Sequence, residues 1–358
     1  MNRLVSMYTI ATTVAVDTER ADRNVFYPMV GQLESNAKRK IYWSLATLLC
    51  CSSVRCNPEK SHVIFTNDRQ PIRIHRVDIR KFLSQKNVQI LYLPFQIFCP
   101  PRKVSFTFRN AYYKLDVYRY LGSRQDGKSV LLDSDCLWVR PDPAWDEEVL
   151  GGELLLLDTY KRADPFSKEM HGMSMQDMGE LYKRIDASYP TAFPIWYGGE
   201  IVASSKTGFH RMSEELLKLH RFLINAVESD QSYHFANGWS MFDGDELYCN
   251  FVYNKPLLPI TEVGKYIKRI WSLPDLNNVE PQDLQRTIWH LPGEKNTGLM
   301  LLFDEALQPE SRFWKLPLSE FTEYLGSYVG VPERKHTILP KPKTFGSRVA
   351  NFLKPFKG

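Results

Sequence analysis

Two aspartates one residue apart, Asp133 and Asp135, close the run SVLLDSD, and a second apolar stretch follows them. Carboxylates projecting together from a strand end suit a hard divalent cation. Magnesium or manganese takes oxygen ligands in an incomplete shell and completes it with water and substrate phosphates. Alternate strand side chains diverge, so both can face one ion only if the chain bends between them. A further candidate ligand is His290 in HLPGEK, followed by Gly293 and Lys295; its alternative is a packed imidazole. Asp245 and Glu246 in DGDELYCN, and Glu200 in YGGEIV, are carboxylates able to act as a base or to bind a hydroxyl, or else ordinary solvated acids.

Positioning these groups requires a scaffold, and the chain alternates in the way that builds one. Strand-like runs LVSMYTIATTVAV, HVIFTND, VQILYLP and SVLLDSD are separated by helix-compatible stretches LESNAKRKIYWSLATLL, HRVDIRKFLSQ and RNAYYKLDVYRYLG, the last expected to close on Gly122. Such alternation predicts βαβ units and a mostly parallel central sheet with flanking helices. Ligands bind such sheets beyond the carboxyl ends of the strands, where this chain reads ATT, TND and DSD. Further on, GGELLLLD and GGEIVASS read as strands. SMQDMGELYKRI, GDELYCNFVYN and LSEFTEYLGSYVG read as helices, as does SEELLKLHRFLINAVESD, opened by Ser213. RTIWHLPGEKNTG reads as a strand running into a loop.

With 358 residues the chain can bury a substantial core, and 43% hydrophobic residues exclude wholesale disorder. The expected division is one α/β domain over residues 1–330 and a tail over 331–358. No apolar run approaches the roughly 18 residues of a membrane-spanning helix, and the N-terminus lacks a signal-peptide pattern, so a cytoplasmic location is expected. Six cysteines without paired ligand spacing predict buried free thiols rather than a zinc site. The net charge of +5 is concentrated: seven Lys or Arg and one acid lie from Glu333 onward. The rest is near neutral, which argues against a nucleic-acid partner. On a helix, Phe345, Val349, Phe352, Leu353 and Phe356 of the tail would share one face flanked by basic residues. That pattern suits contact with an anionic membrane surface, on the inner face of the membrane for a cytoplasmic protein, or else a solvated terminus.

Four patches in order make the chain resemble the glycosyltransferases of the GT-A fold, closest to the retaining family of glycogenin and the bacterial lipooligosaccharide galactosyltransferases. They are ATT at Ala11, Thr12 and Thr13; FRNAYYKLDVYRYL, which opens on Phe108 and Arg109; DSD with DGDELYCN; and HLPGEK. In the last, Lys295 stands one residue early and Asn296 and Thr297 replace the family's Pro-Trp. The resemblance implies a Rossmann-like sheet and a metal-dependent transfer of sugar from a nucleoside-diphosphate sugar, with uridine diphosphate the default, to a glycan, lipid-linked or protein acceptor. It implies metal ligands Asp133, Asp135 and His290, for Mn2+ or Mg2+. It implies donor contacts at Ala11, Thr12, Thr13, Asp68, Arg109, Asp133, Ser134, Gly293 and Lys295, and catalytic or acceptor-side roles for Asp245, Glu246 and Glu200. Trp196, Tyr197 and Trp239 could stack on sugar rings or belong to the core.

Two other classes compete. Phosphatases of the haloacid-dehalogenase type also end a strand with Asp-x-Asp, the first acid being the nucleophile, but theirs lies on the first strand and continues with Thr or Val where this chain has Leu137. A nucleotide-sugar-binding module without turnover would carry the same motifs.

Overall fold

The computed structural model describes residues 8–16, 35–100, 108–123, 127–161, 164–229 and 233–334. Leaving aside two two-residue hairpins, its strands are β1 (Tyr8–Val14), β2 (Ser61–Thr66), β3 (Val88–Tyr92), β4 (Lys128–Leu132), β5 (Cys136–Trp138), β6 (Leu154–Asp158), β7 (Tyr197–Ser205), β8 (Ile260–Glu262), β9 (Ile267–Arg269) and β10 (Ile288–His290). The helices are α1 (Ser35–Cys56), α2 (Ile79–Gln85), α3 (Tyr113–Ser123), α4 (Pro143–Gly151), α5 (Met175–Ile185), α6 (Lys206–Glu228), α7 (Asp245–Tyr253), α8 (Gly298–Ala306), α9 (Arg312–Lys315) and α10 (Leu318–Val329). Among the described residues no helix is long and apolar enough to cross a membrane.

Seven strands form the main sheet in the order β8-β6-β7-β4-β1-β2-β3. Every pairing is parallel except the two made by β7, which runs antiparallel to β4 and β6. The expected mostly parallel α/β architecture is therefore the one observed. One core lies on each face. On one side α1, α4, α8 and α10 pack around Trp43, Trp138, Trp145, Trp289 and Phe321; on the other α3, α5, α6 and α7 pack around Tyr112, Tyr118, Tyr182, Phe209 and Tyr248. Strands buried on both faces read as continuous apolar runs, and LLLL of β6 is an example.

A three-stranded sheet, β9-β10-β5, sits beside the main one, with β10 parallel to β9 and antiparallel to β5. Its register sets His290 opposite both Arg269 and Cys136.

Several element boundaries differ from the sequence reading. Helix α6 starts at Lys206, well before Ser213: Ser205 is its N-cap, accepting from the Gly208 N–H, and Ser213 lies inside the helix with its hydroxyl donating to the Phe209 carbonyl. Gly122 does not end its helix, which runs on through Ser123. A Cβ at Gly122 would stand 2.7 Å from the His210 nitrogen, so this glycine lets α3 and α6 approach. Residues Arg109–Tyr112 form a 3-10 turn leading into α3, Pro292–Glu294 form another in place of the expected loop, and β1 extends past ATT to Val14. The expected tail lies almost wholly outside the described residues; of its first residues, Val331 is buried and Arg334 is bonded to Glu294 and the Tyr328 carbonyl.

Candidate functional site

The bend that the aspartate pair requires is present. The chain leaves β4 at Leu132 and turns, the Cys136 N–H donating to the Asp133 carbonyl at 3.0 Å. The turn is fixed on both flanks: the Asp133 N–H donates to the Glu200 carbonyl on β7 at 3.0 Å, and the Leu291 N–H after β10 donates to the Asp135 carbonyl at 3.1 Å. Ser134 lies buried in the turn. Ligand atoms of Asp133, Asp135 and His290 all lie within 4.8 Å of one another, so residues far apart in sequence meet at one place.

The two aspartates differ in environment. The Asp135 side chain is 4% exposed and its Oδ2 stands 3.3 Å from His290 Nε2 and 3.1 Å from Lys295 Nζ, whereas Asp133 is 32% exposed. Burial pushes the Asp135 carboxyl up, but the Lys295 and His290 charges outweigh it and hold the group well below the usual carboxylate range. Burial works against the charged form of His290 too; Asp135 and Glu200 overcome it and raise the imidazole to about 9. Asp135 Oδ2 and His290 Nδ1 are buried without a well-aligned hydrogen bond, although each lies within ion-pair distance of opposite charge. Two carboxylates, and an imidazole that gives up its proton to a bound cation, match the donors that manganese or magnesium accepts, and the set fits the ion that the sequence motif implies.

Glu200 is wholly buried beside this cluster. Arg269 grips it at two points, 3.0 Å from Nε and 2.6 Å from the terminal nitrogen, and its Oε1 faces His290 Nδ1 at 3.5 Å. Arg269 also donates to Glu246 at 3.1 Å, so charge alternates from Glu246 through Arg269, Glu200, His290 and Asp135 to Lys295. A carboxylate on His290 Nδ1 is the arrangement that orients a metal-binding imidazole.

On the other flank Lys114 of α3 is buried between Asp133 and Asp245, 3.0 Å from each, and donates to the Gly199 carbonyl at 3.1 Å. Burial raises the Asp245 carboxyl, with Lys114 opposing it. Glu246 accepts from the Gly199 N–H at 2.9 Å and from the Trp196 indole at 3.2 Å. Both acids occupy the first turn of α7, where the helix dipole favours them. Helix α7 is fastened to β7 by Asn250, whose amide accepts from the Tyr197 N–H at 2.7 Å and donates to the Tyr197 carbonyl at 2.9 Å.

The remaining sequence candidates are spread along the same edge and beyond it. Ala11 and Thr12 are buried on β1, with Thr13 half-buried, and β1 neighbours β4, the strand leading to the aspartates. Asp68, past the end of β2, is taken up by α1, through Arg39 at 2.6 Å and the Trp43 indole at 2.9 Å. Arg109 reaches the Cys99 sulfur at 3.3 Å. Gly293 lies in the 3-10 turn that delivers Lys295, against the Leu273 side chain. That turn is held by the buried Glu294, which accepts from Ser272 at 2.6 Å, Thr297 at 2.6 Å and the Gly298 N–H at 3.0 Å, so Lys295 reaches Asp135 despite its early place in sequence. All six cysteines are free and five are buried, as expected. Lys114, Arg269 and Glu294 escape the sequence reading. Only Lys114 carries a local signal, as a charge set among apolar and aromatic residues of one helix.

No protein-family model and no curated protein matches the sequence. Among solved structures the chain is similar to WbbM, a bifunctional glycosyltransferase in its apo form, at 13% identity and TM-score 0.51, covering 87% of this chain and 51% of that one. It therefore spans about half the length of that protein. Weaker likenesses are to the galactosyltransferase LgtC in complex with donor and acceptor sugar analogues (14% identity, TM-score 0.41, 91% and 98% coverage) and to an active-site mutant of LgtC (13%, 0.42, 79% and 86%). Sheet order, helix layers and the likeness to WbbM agree that this chain has the GT-A glycosyltransferase fold.

Proposed function

We propose that the chain is a metal-dependent glycosyltransferase that moves a sugar from a nucleoside-diphosphate sugar, with uridine diphosphate favoured, to an acceptor hydroxyl with retention. The observation that carries this reading is the meeting of Asp133, Asp135 and His290 at the carboxyl edge of the sheet. Manganese or magnesium held there would supply Lewis acidity toward the departing diphosphate. Asp135, the more buried acid, is the principal ligand, and Asp133, more open, is shared with the ribose. Lys295 supplies a second positive charge where negative charge grows on the leaving group. Glu200 and Arg269 hold His290 in place.

The acceptor side is formed by Glu246, whose carboxylate oxygens accept a hydrogen bond from the incoming hydroxyl. Asp245, Glu246 and Glu200 are each paired with a cation, which favours a route without an enzymatic base. In that route the acceptor oxygen bonds to the anomeric carbon on the face that the diphosphate leaves, the bond from that carbon to the phosphate oxygen breaks, and the acceptor proton passes to the released phosphate oxygen. The proposed place of work is the cytoplasm, against the inner face of a membrane through the basic tail; cosedimentation of the full chain with anionic vesicles, lost on truncation at residue 334, tests that part.

Asp135→Asn tests the chemistry. It is expected to lower manganese-dependent release of UDP from UDP-sugars by about 100-fold or more and to remove the thermal stabilisation by UDP that requires manganese. Wild-type release that survives metal chelation would refute the reading. Phosphate release from phosphomonoesters would favour a phosphatase, and nucleotide binding without release a binding module.

A further inference from the structure

On the acceptor side, two loops bring flat rings together next to Glu246. Residues Met170–Met173 close a tight turn, the Met170 and Met173 backbones bonding reciprocally at 3.2 and 2.9 Å. At its tip His171 has φ 55° and Gly172 φ 78°. A histidine in the left-handed region costs conformational energy, and such outliers gather where a fixed side-chain position serves a ligand. The conformation sets the imidazole on the indole of Trp239, centroids 4.7 Å apart and planes 21° from parallel. The second loop is tied to the first: Asn237 donates from its amide nitrogen to the His171 carbonyl at 3.0 Å and accepts the Trp239 N–H at 3.1 Å on its amide oxygen. Behind the pair His171 meets Trp196 at 5.9 Å, and the buried Trp196 donates to Glu246. Phe108 flanks Trp239 at 6.4 Å. His171 and Trp239 are both half-buried.

A wall of stacked aromatic faces beside a carboxylate and a guanidinium combines two recognition elements. A pyranose matches both, because its C–H face is apolar and its rim of hydroxyls donates to carboxylates and accepts from arginine. A serine, threonine or simple alcohol has no comparable face. We propose that the His171–Trp239 stack, backed by Trp196, is an acceptor subsite for a pyranose ring, so that the acceptor is a carbohydrate and not a serine or threonine hydroxyl; the inference rests on the transferase reading above.

The test is saturation-transfer NMR of methyl β-glucopyranoside and methyl β-galactopyranoside with the full chain in UDP and Mn2+, in wild type, Trp239→Ala, Trp239→Phe and His171→Gly. Glycine is at ease at φ 55°, so a loss in His171→Gly reports the missing ring and not misfolding. The dissociation constant of at least one pyranoside is expected to rise about tenfold or more in Trp239→Ala and His171→Gly and at most about twofold in Trp239→Phe, with the UDP dissociation constant within about twofold throughout. The subsite is overturned if neither pyranoside binds wild type, or if Trp239→Ala binds as wild type does. A pyranoside site that depends on Trp239, in a protein that releases no UDP from UDP-glucose or UDP-galactose, keeps the subsite and sinks the transferase reading.

Discussion

Replacing Arg269 with methionine isolates the ion pair on which the position of His290 depends. Glu200 is wholly buried and takes two guanidinium hydrogen bonds, at 3.0 and 2.6 Å; without them its one remaining opposite charge among the described residues is His290, at 3.5 Å. Removing one partner of a buried pair costs about 3–5 kcal/mol, because the other charge stays desolvated. The bond from Arg269 to Glu246 adds under about 1 kcal/mol, since that carboxylate is partly exposed. At about 2 °C per kcal/mol for a domain of this size, Arg269→Met should melt about 6–10 °C below wild type in metal chelator. Glu200→Met alone should also destabilise, by leaving Arg269 with Glu246. The double variant exchanges the pair for two apolar chains of similar length and should recover about 2–3 kcal/mol relative to the sum of the single losses. Thermal and urea unfolding followed by circular dichroism would measure the cycle. Single costs that add to within about 0.5 kcal/mol would refute the coupling.

Three further perturbations probe other parts of the molecule. Gly122→Ala gains about 1 kcal/mol of helix propensity but drives a Cβ into the α6 backbone, so a net loss of about 1–3 kcal/mol in urea unfolding is expected, and a more stable variant would contradict the α3–α6 packing. His62, buried and bonded to Ser53 at 2.9 Å, is lowered from 6.5 to about 4 chiefly by desolvation. Because the unfolded chain takes up the proton first, this contribution is complete above about pH 6.5 and is lost as pH falls toward 4. About 2 kcal/mol should be gone at pH 5, and the stability difference between pH 7 and pH 5 should shrink by that amount in His62→Gln; an unchanged difference would refute the assignment. Lys295→Met removes a cation that competes for Asp135, so the nucleotide-free protein should bind manganese about tenfold more tightly by calorimetry while UDP binds more weakly. A fall in both affinities would mean that Lys295 shapes the site and does not compete within it.

The main sheet is legible because its signal is local. Strand runs of five to seven residues such as β1, β2 and β4 alternate with helical stretches, β2 and β4 running on into TND and DSD, and that alternation dictates parallel pairing. The start of α6 is not legible: KTGFHRM carries a glycine and a threonine that weaken helix propensity, and the residue that settles the matter is the Ser205 cap before them. The small sheet is legible only in β10, which lies in the strand read from RTIWH, and its other two strands are not legible for another reason. β5 and β9 are three residues each, too short to show an alternation, and β5 is identified only by β10, a partner distant in sequence.

The same contrast runs through the site. Asp133, Asp135 and His290 can be found in sequence because few residue types could ligate a metal, whereas Arg269 cannot, because a buried glutamate is satisfied by any cation that the fold can deliver. Glu200 illustrates the consequence. From sequence it is a possible base, yet in the structure it lies between Arg269 and His290 with no exposure, fitted to steer an imidazole. Steering matters here because β10 alone fixes only the backbone of His290, and its ring could still rotate away from Asp135. The carboxylate on Nδ1 opposes that rotation and leaves Nε2 facing the aspartates, so the small sheet and the buried ion pair act together: one sets the register of His290, the other the direction of its ring.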